Sequence, residues 1–225
     1  MVKSGFLAVG LMALGGTLQA QDAAPAPRPN IDAALRAEPG AVAQVMAAQD
    51  LYALSLSQND ALAALAAGRI MSGVTLSALP RRPVSGSAPD GPSAPQMPGA
   101  AAMFDRAKRL TLDEGLAALI ESERAASTAA PQLIVGASEG SVPAQSQDTW
   151  DLAFYAGSLA EIAVIGPGTA VLQITVQDAQ GRMICQQAGP RDRLYCPFVP
   201  QENGQFSVIV GNLAAQSTGY RLLTN

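Results

Sequence analysis

The sequence predicts an α+β protein with an N-terminal helical segment, a proline-rich linker and a C-terminal antiparallel β-sandwich, jelly-roll-like and of about seven strands. Two observations predict this order. Apolar residues recur with a period of about 3.6 in the first part of the chain, and past Ser127 the period falls to about two. Turn residues then separate short alternating segments to the end of the chain, which is typical of a sandwich.

The change of pattern divides the chain into parts of different character. Between Ser77 and Gly99, six prolines are interleaved with Gly and Ser, a mixture that favours neither a β-ladder nor a packed face. The predicted parts are a signal peptide (1–20), a disordered leader (21–30), a helical hairpin region (31–76), a linker rich in Pro, Gly and Ser (77–100), a helical region (101–130) and the β-sandwich domain (131–225).

The first twenty residues have the features of a secretory signal. Lys3 supplies the positive charge, residues 6–14 form an apolar run, and Leu18-Gln19-Ala20 resembles a cleavage site. The apolar run is shorter than the roughly 20 residues that a membrane span requires, and no later stretch is long and apolar enough. The sequence therefore predicts a bacterial protein that is periplasmic or secreted, with no membrane span after signal cleavage.

Capping residues delimit the predicted helices. Asn30 is expected to cap a short helix, and a longer helix follows over about residues 41–57. The Asn-Asp pair at 59–60 offers a cap for a helix over about 61–71. In the second helical region, residues 111–114 (Thr-Leu-Asp-Glu) have the spacing of a capping box, with Thr as the cap.

The predicted strands lie in the C-terminal part, where the alternation is clearest over residues 171–177. Residues 178–181 and 202–204 are predicted as hairpin turns, and residues 133–135 as a further short strand. The seven main strands are expected at about 151–156, 159–165, 170–178, 182–187, 193–199, 205–211 and 219–224.

The two cysteines, Cys185 and Cys196, are predicted to form a disulfide. Export places them in an oxidising compartment, and zinc would need two further carboxylate ligands because the chain contains no histidine. The bond is expected to tie together a hairpin across the loop 189–192. Closing so short a loop contributes on the order of 3 kcal/mol.

The closing strands carry a motif. Gly166-Pro167-Gly168 leads into residues 172–181, the segment 204–210 has the pattern G-x-F-x-V-x-V, and Gly219-Tyr220-Arg221-Leu222 follows. This third of the chain resembles the bacterial pre-peptidase C-terminal domain family, β-sandwich modules of secreted proteases and of stand-alone envelope proteins. The resemblance implies a sandwich fold and an exported protein.

Calcium binding, which some members of that family show, is not expected here. The matching strand of the family carries alternating Asp residues, whereas this chain has Val171 and Gln173 at those positions. Hard cations need several oxygen ligands, including carboxylates. Asp178 remains, but its role in the turn accounts for it. No metal site is predicted.

Charge and residue content exclude several kinds of function. The formal net charge is −4, and Lys108 is the only lysine after the signal, so the basic footprint of a nucleic-acid-binding protein is missing. The absence of histidine removes the usual general base at neutral pH. Because the chain has neither a G-x-G-x-x-G nor a phosphate-loop motif, no cofactor is predicted.

Five aromatic residues of the sandwich are the candidate binding face for a protein or glycan partner in the cell envelope. In a sandwich with so few aromatic residues, core or edge packing is the alternative role for most of them. The five residues are Trp150, Tyr155, Tyr195, Phe198 and Tyr220.

The predicted function is that of an exported, non-catalytic protein of the cell envelope whose sandwich binds or stabilises a partner. Two alternatives remain open. In one, the helices form an oligomerisation or adaptor segment and the sandwich is only its anchor. The other is a carboxylate-dependent hydrolase that uses Glu114 with Glu121 or Glu123, where one acid would need a raised pKa in a cleft.

Overall fold

The computed structural model describes residues 28–35, 38–86, 90–127, 133–189 and 192–225. The predicted signal peptide and most of the predicted leader lie outside these residues. Apart from one short strand between the second and third helices, the helices come first and the strands follow, which confirms the predicted α+β class. No helix in the described part of the chain is long and apolar enough to cross a membrane.

The described residues form four α-helices, which lie before the sandwich: α1 (Ala41–Gln58), α2 (Ala61–Ser72), α3 (Ala100–Leu110) and α4 (Glu114–Ser127). Both α1 and α2 begin where the sequence predicts. Asp60 caps α2, because its carboxylate accepts hydrogen bonds from the N–H groups of Leu62 and Ala63.

The short helix predicted after Asn30 is wrong for the described residues. Residues 30–35 contain a turn instead. The Asn30 side chain is not a helix cap, because its Oδ1 accepts hydrogen bonds from the N–H groups of Gln201 and Glu202, far along the chain. The N-terminal segment is therefore attached to a loop of the sandwich.

The predicted capping box of α4 is displaced by two residues. The helix begins at Glu114, and Asp113 caps it by accepting a hydrogen bond from the Leu116 N–H at 2.7 Å. Thr111 accepts from the Asp113 N–H and lies before the helix. Both residues are good caps, and the one nearer the apolar periodic segment is used.

Nine strands lie in the described part of the chain: β1 (Val74–Ala78), β2 (Leu133–Val142), β3 (Gln147–Phe154), β4 (Ala160–Ile165), β5 (Leu172–Asp178), β6 (Met183–Ala188), β7 (Arg193–Phe198), β8 (Gly204–Asn212) and β9 (Thr218–Thr224). One sheet has the order β1-β2-β9-β4-β7 and the other β3-β8-β5-β6. The sheets enclose a core that includes Trp150, Ile162, Ile174 and Phe206. The predicted sandwich is confirmed, and its seven main strands are β3 to β9.

The first sheet contains two strands besides the main seven: β2, which is longer than the predicted strand at 133–135, and β1, which the sequence does not predict. Strand β1 pairs in parallel with the start of β2, so that Val74 lies opposite Leu133 and Ala78 opposite Ala137. Such a parallel pair needs a long crossover, and here the crossover contains α3 and α4. A five-residue strand between a helix and a proline has no local signal that would predict this pairing.

The helices cover the outer face of the first sheet and make a third layer. Val42 and Val45 of α1 are buried against the sheet, where Val135, Ile165 and Leu223 belong to the same apolar cluster. Burying these side chains from both layers stabilises the helix–sheet contact through the hydrophobic effect. The sheet β3-β8-β5-β6 is the other outer layer of the protein.

Described parts of the predicted linker pack on the sandwich. The Leu79 N–H donates to the Ala137 carbonyl at 2.8 Å and extends the β1–β2 pairing by one residue. The Val84 N–H donates to the Thr149 carbonyl on β3 at 2.7 Å. The segment from Leu79 to Val84 therefore passes from the edge of one sheet to the edge of the other.

The predicted disulfide is confirmed, but the strands that it joins are not a hairpin. Cys185 and Cys196 are bonded, with their Cα atoms 6.1 Å apart. Cys185 lies on β6, which pairs with β5, and Cys196 lies on β7, which pairs with β4. Because β6 and β7 are the edges of different sheets, the disulfide closes one open side of the sandwich.

Of the two predicted hairpin turns, one is confirmed. Strands β5 and β6 are antiparallel neighbours, and Asp178 at their turn accepts hydrogen bonds from the N–H groups of Gln180 and Arg182. The turn at Asn203-Gly204 is not a hairpin, because it joins β7 to β8 in the opposite sheet. Asn203 instead accepts a hydrogen bond from the Ala156 N–H at 2.7 Å.

Candidate functional site

The five aromatic residues of the predicted binding face do not form one exposed surface. Trp150, Phe198 and Tyr220 point into the interior between the sheets and are buried. Tyr195 is partly buried under α1, whereas the Tyr155 side chain is 76% exposed in the loop after β3. Strand alternation explains the result, since inward positions take the large apolar side chains.

Trp150 and Tyr220 belong to a buried polar chain that ends on Asp148. The Trp150 Nε1 donates to the Tyr220 hydroxyl at 2.7 Å, and that hydroxyl donates to Asp148 Oδ2 at 2.7 Å. Burial raises the pKa of the Asp148 carboxyl, and the hydrogen bond from Tyr220 opposes this rise only in part. Burial and the neighbouring Asp148 also raise the pKa of Tyr220. The chain connects two strands, β3 and β9, inside the core.

Replacing Asp148 with Asn should make the protein more stable relative to the wild type as the pH rises towards neutrality, because the amide oxygen still accepts from Tyr220 and no buried carboxyl has to ionise. The folded-state pKa of Asp148 is raised. The wild-type carboxyl therefore contributes its stability in full below its unfolded-state pKa, and loses it as the pH rises through the folded-state pKa. Urea unfolding should show that the stability of Asp148→Asn minus that of the wild type increases between about pH 4 and pH 7, by about 1.4 kcal/mol per unit of pKa elevation. A difference that did not change with pH would contradict this assignment.

Glu161 is a second buried carboxylate, and it holds helix α1 on the sheet. It is fully buried on β4 and accepts hydrogen bonds from the N–H groups of Gly40, Val42 and Ala43 at 3.0–3.1 Å. The Tyr195 hydroxyl donates to it at 2.6 Å. Burial, and then Glu161 itself, raise the pKa of Tyr195. Because both carboxylate oxygens are engaged by main-chain and hydroxyl donors, Glu161 is a structural cap rather than a base.

The carboxylates of the hydrolase alternative lie on the surface of α4. Glu121 pairs with Lys108, and Glu123 pairs with Arg69 at 3.2 Å. The hydrogen bond and positive charge of Lys108 lower the pKa of Glu121, whereas a general acid needs a raised one. Glu114 is exposed in the first turn of the helix. None of these three residues lines the cleft or the depression described below, or two smaller cavities of the described chain.

A cleft of about 520 Å³ lies on the outer face of the first sheet, beside the part that the helices cover. Strands β2 and β9 form its floor, and two segments of the predicted linker form its walls. One wall lies very close to the floor: a Cβ atom on Gly219 would come within 2.2 Å of the Ser93 carbonyl oxygen. Only glycine allows this approach.

Three arginines line this cleft, which we call the arginine cleft: Arg81 and Arg82 in one wall and Arg221 on the floor. Arg221 Nε donates to the Pro95 carbonyl at 2.7 Å, and a second nitrogen pairs with Glu139 Oε1 at 2.8 Å. Glu139 is the single acidic residue of the described lining, so the formal charge of the cleft is 3 − 1 = +2.

Local sequence explains why the two wall arginines face the cleft. Pro80 has no N–H and cannot continue the β1–β2 ladder beyond Leu79, so the chain turns away there. Arg81 is directed back to the floor, where its guanidinium donates to the Thr224 hydroxyl at 3.2 Å. Arg82 is exposed and has no hydrogen bond or ion pair within the described chain.

Ser141 is the most informative residue of the cleft. It lies on the floor and is 9% exposed, and its hydroxyl has no hydrogen-bond partner among the described residues. Leaving a buried hydroxyl unpaired costs roughly 1–3 kcal/mol. A ligand that enters this positively charged cleft with a hydrogen-bond acceptor would give the Ser141 hydroxyl the partner that it lacks. No sequence pattern marks Ser141 as a candidate binding residue. The adjacent Arg81 and Arg82, in contrast, form a basic pair that the sequence itself shows.

A second depression, of about 690 Å³, lies on the outer face of the sheet β3-β8-β5-β6. No charged residue lines it within the described chain. Its polar lining consists mainly of amide side chains, including Gln147, Gln177 and Gln186. Among the described residues, no group of three or more His, Cys, Asp or Glu side chains could hold a metal ion.

No protein family and no curated protein match the chain. Solved structures match 40% of it. The pre-peptidase C-terminal domain of a collagenase from Bacillus anthracis matches over 87% of its own length, at 11% identity and a TM-score of 0.36. PliG from Aeromonas hydrophila, a periplasmic inhibitor of g-type lysozyme, matches over 84% at 17% identity and a TM-score of 0.31. The Yersinia pseudotuberculosis-derived mitogen matches over 84% at 9% identity and a TM-score of 0.33.

The family suggested by the closing strands of the sandwich is thus among the matched structures. The C-terminal sandwich resembles a pre-peptidase C-terminal domain.

Proposed function

We propose that this protein is an exported, non-catalytic binding module of the bacterial cell envelope, and that the arginine cleft receives an anionic group of its partner. The signal pattern of residues 1–20 supports export. The disulfide between Cys185 and Cys196 supports it too, because such bonds persist in oxidising compartments.

The observation that carries the proposal is the unpaired Ser141 hydroxyl on the floor of the cleft. A buried polar group without a partner is rare in a folded protein and calls for an explanation. Here three guanidinium groups surround the same space, and guanidinium groups bind carboxylate and phosphate oxygens through paired hydrogen bonds. The cleft is positive although the whole chain carries a formal charge of −4.

The carboxylates of the chain support a non-catalytic role. Asp148 and Glu161 are buried away from the cleft and hold other residues in place. Glu139 is paired with Arg221. The described residues that line the cleft therefore include donors and positive charges but no histidine or cysteine, and their one carboxylate, Glu139, is paired with Arg221.

In this proposal the helices support the sandwich, whereas in the adaptor alternative they are the functional segment and the sandwich is only an anchor. The inward side chains of α1 and α2 are buried in the cluster that covers the first sheet. Residues between the helices also build one wall of the cleft, where Ala94 is buried. Both features support a helical layer that stabilises the sandwich and shapes its cleft.

Changing both wall arginines should weaken anion binding. We expect the Arg81→Ala/Arg82→Ala variant of the mature chain to bind labelled polygalacturonate or polyphosphate at least about tenfold more weakly than the wild type, because two of the three positive charges are lost. Fluorescence anisotropy at low and high salt measures the affinity. Arg109→Ala is the matched control, since this arginine is exposed at the end of α3 and does not line the cleft.

A second variant separates binding from stability. Ser141→Ala should bind the same probes about three- to tenfold more weakly, while its unfolding free energy is higher by roughly 1–3 kcal/mol, because an unpaired buried hydroxyl is removed. A wild-type chain that binds neither probe would overturn the proposal. So would equal losses for the wall variant and the Arg109 control.

A further inference from the structure

One ion pair of the arginine cleft shows which chemical group the floor of the cleft can bind. Glu139 on β2 and Arg221 on β9 are direct cross-strand partners, and the Oε1 of Glu139 lies 2.8 Å from a guanidinium nitrogen of Arg221. Arg221 on the floor of the cleft therefore already binds a carboxylate, and this carboxylate belongs to Glu139 of the same chain.

The two partners of this ion pair differ in their freedom to move. The Arg221 side chain is 17% exposed and is also held by the Pro95 carbonyl, which fixes the guanidinium independently of Glu139. The Glu139 side chain is 60% exposed, and the structure shows no other partner for it within the described residues. Glu139 can turn into the solvent without disturbing the fold, whereas Arg221 keeps its position.

We infer that the ligand of the arginine cleft bears a carboxylate, and that Glu139 occupies the place of this carboxylate on Arg221 until the ligand displaces it. The inference rests on the function proposed above. Ion pairs with an exposed partner contribute little to stability, so the displacement costs little. Glu139 nevertheless competes with the ligand for Arg221 and repels its charge.

Competition from Glu139 allows the cleft to discriminate between anionic ligands. A ligand with a single weak negative charge gains little by replacing Glu139, because one carboxylate is exchanged for another on Arg221. A ligand that also reaches Arg81 or Arg82 gains contacts that Glu139 does not supply. Together with the Ser141 hydroxyl, these contacts favour a carboxylate-bearing ligand that spans the cleft from floor to wall.

The experiment compares the Glu139→Gln variant with the wild-type mature chain. Calorimetric titrations use trigalacturonate, triglutamate and inorganic phosphate as probes. We expect Glu139→Gln to bind the carboxylate probe about tenfold more tightly than the wild type, since a like charge beside the ligand is removed and Arg221 is released. Comparing the sugar acid with the peptide acid shows which source of the carboxylate is preferred.

Glu114→Gln is the matched control, because it removes an exposed carboxylate that does not line the cleft. Its affinity for each probe should equal that of the wild type. Thermal unfolding of both variants verifies that they are folded, and Glu139→Ala serves as a second variant with the same expected direction.

The outcomes separate this inference from the proposed function. If the wild type binds carboxylate probes and Glu139→Gln binds them equally or more weakly, Glu139 is no competitor, and the binding function stands. If phosphate binds and neither carboxylate probe does, the ligand class is wrong. If no probe binds either the wild type or Glu139→Gln, both the inference and the proposed function are overturned.

Discussion

Replacing Glu161 with Ala is expected to lower the free energy of unfolding by about 3 kcal/mol, because several hydrogen bonds end on this one buried carboxylate. The variant leaves the N–H groups of Gly40, Val42 and Ala43 without their acceptor at the start of α1. It also leaves the partly buried Tyr195 hydroxyl unpaired. Part of this cost is offset because the buried carboxylate itself is gone.

Chemical denaturation measures this loss, and Tyr195→Phe is the matched control. The control removes one hydrogen bond to Glu161 and keeps the three main-chain bonds, so it should cost only about 1 kcal/mol. Hydrogen exchange should show faster exchange of the Val42 and Ala43 amides in Glu161→Ala, and little change in Tyr195→Phe. If Glu161→Ala were as stable as the control, the capping role would be refuted.

Gly40 offers an independent test of the same contact. This residue is the cap position of α1 and has no side chain with which to cap it. A Cβ atom there would lie 2.2 Å from Glu161 Oε2, and the carboxylate is packed too tightly to move away. Gly40→Ala should therefore lower the free energy of unfolding, as Glu161→Ala does.

The contact between Glu161 and α1 also shows where sequence-based prediction ends. The start of α1 and the Asp60 cap of α2 are local features, and they are predicted correctly. Glu161 lies 121 residues after Gly40, in a strand that is otherwise apolar. Its role depends on which helix end comes to rest beside it, and no local pattern contains that information.

The same limit explains the errors in strand pairing. Alternation identifies the inward face of each strand, and the buried aromatic residues Trp150 and Tyr220 follow this rule. Alternation does not identify the neighbour of a strand. A short polar loop can join two strands of one sheet or cross between sheets, and both β6–β7 and β7–β8 cross.

The arginine cleft could be predicted only in part. A pair of arginines between Pro80 and Pro83 is unusual in a chain with few basic residues, and it marks the segment as more than a spacer. Its opposite wall depends on the close approach of Ser93 to Gly219, and its floor on the pairing of β2 with β9. These contacts join distant parts of the chain, so the cleft exists only in the folded protein.

Loss of the disulfide is the second change for which we expect a large effect. The Cys185→Ala/Cys196→Ala variant should have an unfolding free energy about 3 kcal/mol lower than that of the oxidised wild type, because the unfolded chain is no longer cross-linked. A further loss comes from the native state, since Cys196 is fully buried in the core and alanine fills less of its space.

The position of the bond predicts where the sandwich should loosen. Strands β6 and β7 are edge strands of different sheets, and few other contacts of the described chain join them: one is the hydrogen bond from the Tyr195 N–H to the Gln187 side chain. Hydrogen exchange in the variant should therefore increase first in β6, which has one sheet neighbour and several exposed residues. The amides of β8, in the middle of its sheet, should change least.

Wild-type protein treated with reductant is the control for the substitutions themselves. Reduction should destabilise the wild type by about 3 kcal/mol, which is less than the double substitution costs, because the reduced Cys196 side chain still fills its space in the core. It should add the mass of two hydrogens to the unfolded chain, and it should leave the double variant unchanged. If the reduced wild type kept the stability of the oxidised protein, the cross-link would contribute nothing. The core around Trp150 and Phe206 and the remaining contacts between the sheets would then hold them together without help from this bond.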